Sequence, residues 1–261
     1  MAGDDRMVAR GALGLSFAAL YGPTPVPQAI EQCGELIATE LADRQVQCLI
    51  MCKIAQLHAM QGDFETARSL YREARAGLRD LGHGVREASS SLDSALIELL
   101  AGDPVAAERE LRGDYEALTA MGETYFLPTM AALLGRAVGE QGRDAEALTL
   151  TEAAEKLAAE DDVDSQVLWR CARVPILCRA GSFGAAEELA RAALDIAKKT
   201  DVSMLQAAAS IEIARVLSLT GRTADAQMLM REAISLYTAK GDIVSAGRAA
   251  IALSEMTSAV A

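Results

Sequence analysis

A chain of 261 residues that is 51% apolar and 24% charged has the composition of a folded protein, and 4% aromatic residues beside abundant alanine require its helices to pack through small side chains. Its net charge of −12 and pI near 4.7, with no run of Lys or Arg, argue against nucleic acid as a partner, because phosphate binding needs clustered cations. No apolar stretch reaches the length of a membrane span and no basic leader precedes an apolar run, so the cytosol is the expected compartment.

Apolar residues recur at helical spacing, and the predicted elements are helices. The first covers 6–20, with Asp5 as its cap, and its partner 27–41. Between them lies Tyr21-Gly-Pro-Thr-Pro-Val-Pro-Gln-Ala29, which holds three of the six prolines and reads as a stiff turn ending in Pro27 at the start of a helix. Asp43 opens a helix to Gln61 and Asp63 its partner to Leu81. The next pair is 85–101 and 104–121, where Asp103 caps and Pro104 takes the first helical position. Then come 125–141 with 143–159, 163–180 with 183–199, and 202–220 with 223–239. A last helix, 243–259, is expected to cap the array without a partner, its apolar outer face free to meet another surface. Pro175 should kink the helix over 163–180 near Arg173, as a local bend or as a notch shaped for a ligand.

These pairs are copies of one unit. GDFETARSLYREA from Gly62, GDPVAAERELRGD from Gly102, GRDAEALTLTEAA from Gly142, GSFGAAEELARAA from Gly181 and GRTADAQMLMREA from Gly221 align with glycine spacings of 40, 40, 39 and 40. Alanine follows the glycine by five residues in every copy, and by twelve in four, where Asp114 is the exception. Seven residues are two helical turns, so both alanines lie on one face and let a neighbouring helix come close. The expected fold is all-α: a right-handed α-solenoid of about six hairpins (5–42, 43–82, 83–122, 123–160, 161–200 and 201–240) plus the cap helix, as one repeat domain over 1–261.

Glycine, alanine at +5, an apolar or aromatic residue at +9 (Tyr71, Leu111, Met230) and alanine at +12 resemble the second half of the tetratricopeptide repeat, with Gly135 at its small first-helix position. The period is longer than the usual 34 or so, and no proline closes the unit. Tyr21-Gly-Pro-Thr-Pro-Val-Pro, the run from Leu100 to Leu111, Asp161-Asp-Val-Asp-Ser-Gln-Val-Leu-Trp-Arg170 and the final Tyr237–Arg248 are similar to the C-terminal repeat region of bacterial proteins that carry a class III adenylate/guanylate cyclase domain and a P-loop ATPase ahead of their repeats. No Gly-Lys dipeptide occurs, so no P-loop and no cyclase or ATPase activity is carried over. The resemblance implies a non-catalytic interaction and regulatory arm, as a fragment or a free-standing relative. The alternative is a small-molecule sensor like the repeat arrays of bacterial transcription activators, and a third reading is a scaffold.

Candidate sites are few. Five cysteines (Cys33, Cys48, Cys52, Cys171, Cys178) lack metal or redox spacing and read as packing residues, and the acidic run 160–164 reads as helix capping. His58 and His83 take no catalytic role, so no catalytic residue, metal or cofactor is assigned. In tetratricopeptide arrays the residue six before the turn glycine faces the concave wall, which here gives Gln56, Leu96, Arg136, Pro175 and Arg215, with Arg179 nearby and Trp169 as an anchor. Two arginines two repeats apart suggest an acidic partner segment, from a protein or peptide or from the parent's own cyclase and ATPase domains. Alternatively they pair with Glu140 or Glu212.

Overall fold

The computed structural model describes residues 2–38 and 43–258, with side chains from residue 11 onward. The described residues form fourteen α-helices and no strand. These are α1 (Ala2–Tyr21), α2 (Val26–Ala38), α3 (Arg44–Met60), α4 (Phe64–Asp80), α5 (Gly84–Ser89), α6 (Ser91–Ala101), α7 (Pro104–Ala120), α8 (Leu127–Glu140), α9 (Asp144–Leu157), α10 (Val163–Arg179), α11 (Phe183–Ala197), α12 (Ser203–Leu219), α13 (Thr223–Lys240) and α14 (Ile243–Ser258). The chain is an all-α solenoid whose successive helices pack as hairpins.

The predicted starts hold at three capping Asp residues: Asp43, Asp63 and Asp103 accept the amides of Val46, Thr66 and Ala106 at 2.8, 3.2 and 2.9 Å. The first helix, expected from residue 6 with Asp5 as its cap, begins instead at Ala2, so Asp5 falls inside it. Asp162 does the same for Ser165 at 3.1 Å, which accounts for part of the acidic run. The helix expected over 85–101 is instead broken at Ser90. There Ser89, Ser90 and Ser91 each donate a hydroxyl to the carbonyl three residues back, at 3.2, 2.6 and 2.8 Å, in competition with the helical ladder. The helix expected from 125 begins at Leu127, because the Glu123 carboxylate takes the amides of Tyr125 and Phe126 at 2.7 and 2.8 Å. Pro175 does not interrupt α10, which runs through it. Residues 39–41 and 259, at the ends of two predicted helices, lie outside the described residues.

The repeat rows carry the packing. Ala67, Ala107, Ala147, Ala186 and Ala226 at +5, and Ala74, Ala154, Ala193 and Ala233 at +12, are completely buried. Where alanine would be too large the chain uses glycine: a Cβ on Gly135 would stand 2.9 Å from Thr151 Cγ2, which fixes how closely α8 approaches α9. Gly62, Gly102, Gly142, Gly181 and Gly221 adopt φ of 74–81°, the left-handed region that ends one helix and turns the chain into the next. Arg143 pairs with Glu108 and Arg222 with Glu187, each across 35 residues. Exposed pairs of this kind contribute at most about 1 kcal/mol each, so they set the register between repeats more than the stability.

The ends of the array meet. Lys240, 1% exposed at the end of α13, donates to the carbonyls of Ala19, Gly22 and Thr24 at 2.7, 2.9 and 2.7 Å. Gln61 Nε2 reaches the Gly241 carbonyl at 2.5 Å, and Arg248 on α14 donates to the last carbonyls of α6, Leu99 at 2.9 Å and Leu100 at 2.6 Å. The cap helix expected to lack a partner therefore rests on α13 and on the first repeats, with Val244 3.7 Å from where a Cβ on Gly62 would stand. The proline-rich turn supplies two of the three acceptors for Lys240. Its prolines hold that backbone in place, and Gly22 is not left-handed like the other turn glycines.

Among the described residues no carboxylate bonds Lys240, and burial pushes its amine down to about 8, opposed by Cys33. The folded amine thus releases its proton near pH 8 and the unfolded one near 10.5. Between those values the unfolded chain holds more protons, so the contribution of Lys240 to stability rises with pH, by up to about 1.4 kcal/mol per pH unit. Denaturant unfolding at about pH 7.5 and about pH 9.5 should show the wild type gaining on Lys240→Met at the higher pH. A gap that does not change with pH contradicts the buried amine.

Candidate functional site

With its ends joined, the solenoid forms a partly open chamber of about 1140 Å³ on its inner face. Three rows of the repeat line it, at thirteen, nine and six residues before each turn glycine. They are Leu49, Ser89, Thr129, Leu168 and Ala208; Lys53, Asp93, Leu133, Ala172 and Glu212; and Gln56, Leu96, Arg136, Pro175 and Arg215. Spacings of four and three keep the rows on one helical face, so every first helix presents the same side inward. Leu13, Phe17 and Tyr21 of α1 and Arg248, Ala249 and Ala252 of α14 complete the wall.

Charge gathers at two places on this wall. On one side Lys53 Nζ stands 2.5 Å from Asp93 Oδ1, with both side chains nearly buried, and Gln56 donates to the same oxygen. The Phe17 ring lies 4.7 Å from the ammonium. Burial opposes the charge on Lys53, but Asp93 and its other neighbours outweigh it and hold the amine protonated well above its ordinary range. Tyr21 alongside is pushed up to about 12, chiefly by burial.

On the other side two intrahelical pairs face the chamber. Arg136 Nε bonds Glu140 at 2.8 Å on α8, and Arg215 Nε bonds Glu212 at 2.8 Å on α12. Glu212 and Tyr237 lie within electrostatic reach of Arg136, and Glu140 within reach of Arg215, so the four charges form one group across the chamber. Cys171 sits among them with its thiol pushed up by burial, as is that of Cys52, which keeps both from thiolate chemistry.

All five residues expected six before the turn glycines line the chamber, as does Arg179. Arg179, however, is held by Asp144 of the neighbouring repeat at 2.9 and 2.5 Å. Trp169 is misplaced in the sequence reading. It is 2% exposed, packs on Ala131, Ala132 and Ala154, and carries the guanidinium groups of Arg170 and Arg173 at 4.1 and 4.4 Å from its ring. Its position, one residue after Leu168 and six before Pro175, turns it about 90° from the chamber row, onto the side of α10. Sequence reasoning missed Lys53 and Asp93, although both stand nine before a turn glycine. Among the described residues no cluster of His, Cys, Asp or Glu is arranged to hold a metal, and no helix is long and apolar enough to cross a membrane.

No family model matches the chain, and no curated protein does. Its fold is similar to that of RapI, solved in its apo form, at 11% identity and a TM-score of 0.53 over 96% of this chain and 71% of that one. BtubC (BKLC) from P. vanneervenii aligns at 18% identity over 90% of this chain and 89% of that one, but its TM-score of 0.38 carries no argument. At such identities the likeness to RapI shows the helical-repeat fold alone.

The Lys53–Asp93 pair yields a direct test of the wall. Asp93→Ala leaves a buried ammonium without its counter-charge and should cost about 3 kcal/mol in denaturant unfolding. Replacing both members, Lys53→Met with Asp93→Leu, should recover most of that loss; equal losses in the single and double variants contradict the pairing.

Proposed function

We infer that this chain is a non-catalytic regulatory binding module whose ligand occupies the central chamber. The observation that carries the reading is the convergence of three repeat rows from five successive hairpins on one concave space of about 1140 Å³. That volume suits a compact ligand, and its wall combines apolar side chains with a few placed charges, as binding sites require. A long acidic segment fits less well. Glu140, Glu212 and Asp144 already share the arginines it would bridge, and their like charge would repel a run of carboxylates. Of the three readings open from the sequence, the chamber therefore supports the ligand sensor best.

Occupancy would reach a partner through the ring itself, because a ligand touching several first helices changes how they sit against one another. The sequence resemblance suggests what would receive that change: a class III cyclase and ATPase in the same polypeptide or in an associated one. Protein partners then belong on the outer surface, and the ligand belongs inside.

Filling the chamber tests this whatever the ligand is. Leu96→Trp and Ala208→Trp add bulk from two repeats that both line the chamber. In a thermal-shift screen against metabolites and acidic dodecapeptides, compounds that raise the Tm of the wild type should fail to raise that of either variant. Ligands, peptides included, that stabilise both variants as they do the wild type contradict a chamber site.

A further inference from the structure

We propose that the chamber holds a site for a small zwitterion with an aliphatic body, a free α-amino acid or a dipeptide with unblocked ends, between α8, α10 and α12. The inference rests on the chamber reading and names its ligand class. Arg136 uses only Nε on Glu140, which leaves its two terminal nitrogens for a carboxylate. Glu140 has one oxygen outside that bond, and Glu212 meets Arg215 well through Oε2 but only weakly, at 3.5 Å, through Oε1. Acceptors for an ammonium group are thus present beside donors for a carboxylate. The side chains of Arg136, Glu140 and Arg215 are 42, 40 and 45% exposed within the chamber wall, so a solute can reach them.

The repeat between the two charged ones is unlike its neighbours. In its three inward rows it carries Leu168, Ala172 and Pro175, which are apolar and, at the middle position, small. Pro175 has no N–H, so the Cys171 carbonyl one turn back loses its helical donor and is left as a further acceptor on the chamber side. A proline in the middle of a long helix is destabilising for the fold. Here it leaves the Cys171 carbonyl without its helical donor, between Arg136 of α8 and the Glu212–Arg215 pair of α12. An ammonium on Cys171 O and Glu212, a carboxylate on Arg136 and an aliphatic side chain against Leu168 and Ile211 use each of these groups.

Calorimetric titration of the full chain with L-leucine, L-leucyl-L-leucine, N-acetyl-L-leucine and L-leucinamide tests the assignment. One or both zwitterions should bind, with the acetyl and amide forms weaker by about tenfold or more, since each leaves one charged partner unpaired. Pro175→Ala restores the helical donor; it should raise Tm yet weaken the zwitterion, a combination that damage to the fold cannot produce. Glu212→Gln should reduce the discrimination against N-acetyl-L-leucine. Failure of both zwitterions to bind overturns the proposal, as does binding of the blocked forms with equal strength. If equal binding is lost in Leu96→Trp, the chamber reading survives and only the zwitterion is wrong; if it persists there, both fall.

Discussion

The close approach of helices across the alanine rows is the constraint from which the rest of the molecule follows. A completely buried alanine at +5 in every full repeat lets the two helices of a hairpin come close, as where Ala147 of α9 lies 3.4 Å from the place of a Cβ on Gly139 of α8, and a regular hairpin repeated along the array gives a regular curvature. Larger side chains at those positions would open the pitch and spread the first helices apart. The inward face of the array would then be an open surface instead of a chamber wall.

Curvature alone brings the ends near each other, and polar contacts of a particular kind join them. Lys240, Gln61 and Arg248 all donate to main-chain carbonyls, at the end of α1, in the proline-rich turn, at Gly241 and at the end of α6. Carbonyls at helix ends lack intrahelical donors, so they are acceptors available without any specialised partner residue. The clasp is consequently made from main-chain acceptors that every helix end provides, and it is strong only because Lys240 is buried where water cannot replace it.

Much of this is legible in the sequence, and the illegible parts have identifiable reasons. The glycine and alanine rows are uniform in residue type, so alignment of the repeats finds the hairpins, the turns and the buried face at once. The row six before each glycine can be assigned to the inner wall because position alone decides it. The row nine before is harder to find: Lys53, Asp93, Leu133, Ala172 and Glu212 share a position but no chemistry, so no residue type marks it. Trp169 draws attention as the one tryptophan, yet its helical phase turns it into the core. The ring closure joins residues 216 to 221 apart through side chains and carbonyls, and a carbonyl has no signature in a sequence.

The account stands on the closure of the array around its chamber. Single-molecule energy transfer between dyes at Glu35 on α2 and Glu255 on α14, both exposed, measures that closure in solution. A single narrow population at short distance, widening when Lys240 and Arg248 are both replaced by Ala, is the result the account predicts. A broad population at long distance in the wild type, unchanged by those replacements, would mean an open array whose ends do not meet.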